Sequence, residues 1–138
     1  MSSCTPLDIF AFAHWLNDTK PTNSSSCLIR TIINRAYFAA LVSARNFTNS
    51  KTTGQGGHKQ VIDALSKIDP IAANKLNSLR LQRQTADYEL SQELTSREAQ
   101  LSLIDSRHVL YVSTNQTLPP GVPYMSDYLN KSKFISSE

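Results

Sequence analysis

The chain is poor in the residues that usually advertise a chemistry. Its 138 residues hold two cysteines, Cys4 and Cys27. Two are too few for a disulfide framework, and they lack the spacing of a zinc site. They read as free thiols of a reducing, cytoplasmic compartment. Glycine and proline are sparse, at four and six residues, which leaves an ordinary globular composition. No run is expected to reach the length of a membrane span, so no membrane partner is expected. The apolar stretch Ile9-Phe10-Ala11-Phe12-Ala13 has no basic residues ahead of it and makes a poor signal peptide. Triplets such as Asn17-Asp18-Thr19 and Asn46-Phe47-Thr48 then reflect a Ser/Thr/Asn-rich composition and not glycosylation. His14, His58 and His108 fall on separate elements without ligand spacing, so neither a metal nor a cofactor is expected. His108 shares a helical face with Leu101, Ile104, Tyr111 and Val112, which predicts a hydrogen-bonded core histidine. No nucleophile elbow occurs, and Lys59 follows its glycines without the Ser or Thr of a phosphate-binding loop.

A modest positive charge and a helical rhythm are present. The formal net charge is +3, with a pI near 9.0. That permits an anionic partner, although a committed duplex-DNA binder would cluster its Lys and Arg more densely. At this length one domain is expected. Apolar spacing predicts amphipathic helices over about 7–16, 27–47 and 58–68, with Ser24, Ser25 or Ser26 capping the second. Asp69-Pro70 supplies a cap and a first-turn proline for a fourth helix, and Thr95-Ser96-Arg97-Glu98 forms a capping box for a fifth, ending near Val112. The second helix, with Ile29, Ile32, Ile33, Ala36, Tyr37, Ala40 and Ala44 on one face, reads as the central core helix. The fold class is therefore all-α, a bundle of four to five helices. An irregular, proline-bearing C-terminal tail covers 114–138, and the glycines of 48–57 mark a flexible connection.

One charge sits where a helix should be oily. At about 100° per residue, Ala72, Leu76, Leu79 and Ala86 share a face, and Arg83 lies in its middle with Arg80 and Asp87 at the edge. A guanidinium does not deprotonate, so it needs partners if buried. Two readings fit: a structural ion pair with Asp87, or an arginine held at a seam to meet an anion. Arg35 borders the apolar stripe of the second helix and must snorkel or pair, with Asp87 as one candidate partner. Gly56-Gly57-His58-Lys59 leads into a helix N-terminus, where free amides and the dipole favour an anion.

Three motifs in register, Arg35-Ala36-Tyr37-Phe38-Ala39-Ala40, then Gly57-His58-Lys59-Gln60-Val61-Ile62, then Leu79-Arg80-x-x-Arg83-x-x-Ala86-Asp87-Tyr88, resemble the HEPN domain family. The resemblance spans about residues 5–113. It implies an all-α, up-and-down bundle that often dimerises and, in active members, a metal-independent endoribonuclease of toxin–antitoxin or antiviral defence systems. Other members bind RNA or nucleotides without cutting. Expected partners are accordingly RNA or a nucleotide, a second copy of the chain, and an antitoxin or nucleotidyltransferase. The family's nucleases place a histidine four to six residues beyond the arginine. Arg83 fills the arginine place, while Tyr88 stands at the nearest histidine place, with Glu89 and Leu90 at the other two. Cleavage through the RNA 2′-hydroxyl needs a base near neutral pKa and a cation on the phosphate. Arg83 supplies the cation. A tyrosine, with an ordinary pKa near 10, is a poor base, so the base falls to His58 or to a group from a second subunit. The catalytic candidates are thus Arg83, Tyr88 and His58, and the RNA-binding candidates Arg83, Asp87, Arg80, Arg35 and Lys59. The competing function is a non-catalytic helical module that dimerises or binds a protein partner.

Overall fold

The computed structural model describes residues 4–20, 25–50 and 56–114. These form an all-α bundle of five helices: α1 (Pro6–Thr19), α2 (Ser25–Thr48), α3 (Gly57–Ser66), α4 (Pro70–Tyr88) and α5 (Ser96–Thr114). The residue preceding α2, most of the glycine-bearing connection and the tail from 115 onward lie outside the described residues. The caps expected for α4 and α5 are present, whereas Ser25 and Ser26 lie within α2 itself. Asp69 accepts a hydrogen bond from the Ala72 amide at 3.0 Å ahead of Pro70. At α5, the Thr95 amide and hydroxyl both donate to Glu98 Oε1 at 2.6 Å. The bond to Thr95 holds the Glu98 carboxyl below its usual range. A further capping box, between Thr5 and Asp8, opens α1 one residue before the expected start, and the helix runs on to Thr19. Gly56 enters α3 at φ 82, with open space where a Cβ would sit. Its role is the left-handed backbone that other residues adopt reluctantly.

α2 packs against each of the other four helices. Its first half joins α1 and α5 around Phe10, Ile29, Ile32, Ile33, Leu103 and Leu110. Its second half joins α3 and α4 around Tyr37, Leu41, Val61, Leu65, Leu76 and Leu79. Burying each of these large apolar side chains contributes about 1.5–3 kcal/mol, which places the bundle's stability chiefly on α2. Contrary to the expectation that no run reaches a membrane span, Ser26–Thr48 is long and apolar enough, at a mean hydropathy of 1.2. In the bundle 61% of that window is buried against other helices, the position of a core helix.

The buried face of α5 differs from the expected one. Ala99, Ser102, Leu103, Ser106, Val109, Leu110 and Ser113 point inward, whereas Leu101 and Tyr111 are exposed and His108 is only half-buried. The physical reason is that small serines permit close approach to α2 and return their hydroxyls to internal acceptors. Ser106 Oγ donates to the Ala36 carbonyl at 2.7 Å, and Ser43 and Ser113 share a bond of 2.6 Å. Burial, followed by the nearby Lys75 charge, holds the His108 pKa below its ordinary value.

Candidate functional site

Where α2, α3 and α4 meet, apolar spacing delivers Tyr37 to the core while placing charge at its edge. Tyr37 is 2% exposed, yet its hydroxyl ends 2.8 Å from His58 Nδ1, near the start of α3. The two rings lie with centroids 5.8 Å apart. Burial raises the Tyr37 pKa, outweighing the opposing charges of Arg83 and Arg80, so the hydroxyl stays protonated. Burial also lowers the His58 pKa, and Arg83 and Arg80 push it further the same way. His58 is therefore neutral at pH 7. In the tautomer where Nδ1–H donates to the Tyr37 oxygen, Nε2 keeps a lone pair for a proton; in the other, Nε2–H is a donor.

The α4 stripe places Arg83 over this pair. Its guanidinium carbon stands 5.5 Å from the Tyr37 ring centroid and 5.9 Å from that of Tyr88. Its Nε lies 3.3 Å from Asp87 Oδ2, with the two side chains 24% and 27% exposed. The two terminal nitrogens have no hydrogen-bond acceptor among the described residues. The ion pair with Asp87 is therefore present at one edge of the guanidinium, and its other edge is open among the described residues.

A cavity of about 190 Å³ opens beside it, walled by Arg35, Phe38, Leu41, Val42 and Arg45 of α2, with Asn34, Tyr37, His58 and Arg83 completing the lining. Arg35 does not reach Asp87 directly. It donates to Asn34 Oδ1 from Nε at 3.0 Å and from Nη2 at 2.5 Å, and Asn34 Nδ2 donates to Asp87 Oδ2 at 3.0 Å. The Arg35 guanidinium also lies 5.0 Å from the Phe38 ring centroid. Three guanidinium groups, a neutral imidazole and a half-open aromatic ring therefore face one small space. That composition suits a phosphate with an attached planar group.

The remaining candidates divide. Arg80 contacts Asn77 at 3.5 Å and acts on Tyr37 and His58 through its charge. Tyr88 is 73% exposed at the end of α4, beside Arg83 but outside the cavity. Lys59 turns away and pairs with Asp63 at 2.9 Å on the exposed face of α3, so the helix start brings His58, and not Lys59, to the site. Asn34, which bridges Arg35 to Asp87, escaped the sequence reading, and so did three other residues. Tyr37 looked purely apolar in pattern, Arg45 stood in the last turn of the core helix, and Arg30 works through backbone. Arg30 donates to the carbonyls of Ala86 at 2.7 Å, Gln92 at 2.6 Å, and Thr85 and Leu90 at 3.3 Å. It thereby closes the C-terminus of α4, where orphan carbonyls and the helix dipole favour a cation, and fixes the turn that carries Asp87 and Tyr88.

Among the described residues no three His, Cys, Asp or Glu side chains converge as a metal site would require. No family model matches this chain, and neither a curated protein nor a solved structure matches it.

Proposed function

We propose that this chain is an RNA-directed protein of the HEPN type, acting on single-stranded RNA at the Arg83 cavity as a metal-independent endoribonuclease. The observation that carries this reading is the open terminal fork of Arg83 beside a neutral His58, inside a cavity lined by two more arginines. A phosphodiester held by the Arg83 fork presents its neighbouring 2′-hydroxyl to the imidazole. His58 Nε2 takes the 2′-proton, the 2′-oxygen bonds to phosphorus, and the bond to the 5′-oxygen breaks. The departing oxygen takes a proton from the imidazolium or from water, leaving a 2′,3′-cyclic phosphate and a 5′-hydroxyl. The arginine charges stabilise the oxyanion that develops at phosphorus. Tyr37 orients the ring and is a positioning residue. The resemblance in three motifs supports the same reading, and with it a homodimer, an antitoxin or nucleotidyltransferase partner, and a role in toxin–antitoxin or antiviral defence. The two free, exposed cysteines fit a cytoplasmic location.

The second reading is a non-catalytic dimerisation or partner-binding module, or a nucleotide-binding one. The Arg83–Asp87 pair within the chain and the tyrosine at position 88 favour it. End-labelled single-stranded RNA incubated with the protein and excess chelator separates the two. Cleavage to cyclic-phosphate ends is expected to persist, and His58→Ala to slow it by about 10²–10⁴-fold. Activity abolished by chelator would place the chemistry elsewhere. Binding without cleavage would leave a binding module.

A further inference from the structure

At the junction of α2 and α4 one uncharged side chain stands between three charged ones. Asn34 is half-buried and lines both the Arg83 cavity and a neighbouring space of about 180 Å³ bounded by Arg30, Thr31 and Asp87. Its amide works at both ends. The oxygen accepts two bonds from Arg35, at 3.0 and 2.5 Å, and the nitrogen donates to Asp87 Oδ2 at 3.0 Å. That same carboxylate oxygen is 3.3 Å from Arg83 Nε. Arg35 belongs to α2 and Arg83 to α4, so the chain Arg35–Asn34–Asp87–Arg83 sets the spacing of two guanidinium groups across a helix seam.

We infer that Asn34 is the positioning residue of this site, tying Arg35 through Asp87 to Arg83 so that both forks are held ready around one phosphate. The inference rests on the anion-site reading above. A side-chain amide meets both demands, with its acceptor and its donor on separate atoms that reach the two neighbours. An aspartate in its place keeps an acceptor for Arg35 but opposes Asp87, a leucine serves neither neighbour, and a lysine has no acceptor for Arg35. Each arginine is anchored through Nε, while Arg35 Nη1 and both terminal nitrogens of Arg83 have no acceptor among the described residues. Held in this way, the forks lose little freedom when an anion arrives.

The test reads the arginines directly, by nuclear magnetic resonance of their Nε–H groups in the full chain, beside binding of a fluorescent single-stranded oligouridylate. In the wild type the Arg35 and Arg83 Nε–H signals should be sharp and slow to exchange with solvent. Asn34→Ala should shift and broaden both and weaken RNA binding by about tenfold, as expected when charge-assisted bonds lose their geometry. Arg35→Ala added to Asn34→Ala should weaken binding little further, because the two changes remove one interaction. Asn34→Asp should disturb the Arg83 signal and spare that of Arg35, and thermal melting confirms that each variant is folded. Unchanged Nε–H signals in Asn34→Ala, or effects of the two alanine changes that multiply independently, would overturn the inference. Signals that respond as described in a protein without RNA affinity would uphold the positioning and overturn the RNA reading instead.

Discussion

Along α2, one flank meets α5 and the other meets α4, and both flanks bury polar side chains. On the α5 flank the polar groups are serine hydroxyls. Ser106 ends on the Ala36 carbonyl, Ser113 on both Ser43 and the Val109 carbonyl, and Ser102 on Gln82. Ser43, Ser102, Ser106 and Ser113 are all buried, and each donor has found a neutral acceptor inside the bundle. On the α4 flank the polar groups are guanidinium, carboxylate, amide and imidazole. The guanidinium, carboxylate and amide groups are linked to one another and the imidazole to Tyr37, and they border a cavity. The contrast separates polar packing from a candidate binding site. Buried groups whose capacity is exhausted internally specify how helices dock, whereas charges anchored at one edge and open at the other are prepared for a ligand.

The largest effect on the stability side of this comparison is expected from Ser106→Leu. The site is fully buried and has no room for the added carbons, so overpacking should cost about 3 kcal/mol. That lowers the melting temperature by roughly 10 °C while RNA binding by the folded protein is kept. A variant that melts normally would show the α5 seam to be loose. Arg30→Ala should have a smaller effect, about 1–2 kcal/mol, for the loss of a cation on the α4 carbonyls. Because Arg30 also fixes the turn beyond Asp87, calorimetry and RNA binding should both change modestly. A change confined to the melt would detach Arg30 from the site.

The smallest effect is one of pH. The folded-state pKa values of His58 and His108 both lie below the ordinary 6.5, through burial first and then through Arg83 and Lys75 respectively. As pH falls below 6.5 the unfolded chain takes up protons that the folded chain resists. Stability should therefore fall with pH until the folded values are passed. Asp105, raised by burial against the pull of Lys75, has the opposite sign, adding stability as pH falls through its raised value towards 3.8. Urea melts between pH 7.5 and 5.5 should show the histidine slope, and His58→Asn should flatten it. A slope unaffected by His58→Asn would mean that the ring is not held neutral by the fold.

The helices were legible in the sequence because their signals are local. Asp69-Pro70 and Thr95 with Glu98 announce caps within four residues, and the apolar stripe of α2 repeats from Ile29 to Ala44, over about four turns. Arg83 was legible as an anomaly for the same reason, since it interrupts a stripe on its own helix. What was missed depends on distant partners. Tyr37 becomes a site residue only through His58, 21 positions away. Arg30 acts on carbonyls 55 to 62 positions on, which no side-chain pattern encodes. The inward face of α5 was hidden because serine reads as polar until its acceptor is seen, and Lys59 was misplaced because spacing at a helix start does not say which of two adjacent side chains turns inward.

Arg83→Ala should be measured for thermal melting and for single-stranded RNA binding on the same preparation, because an anion site and a structural ion pair predict opposite results. A partly exposed pair four residues apart on one helix contributes about 1 kcal/mol or less. The melt should therefore drop by only a few degrees, while RNA binding and any cleavage are lost. A buried pair essential to the fold would instead cost about 3–5 kcal/mol when broken. A collapsed melt, in a protein whose wild type has no affinity for RNA, would contradict the account and leave Arg83 as part of the scaffold.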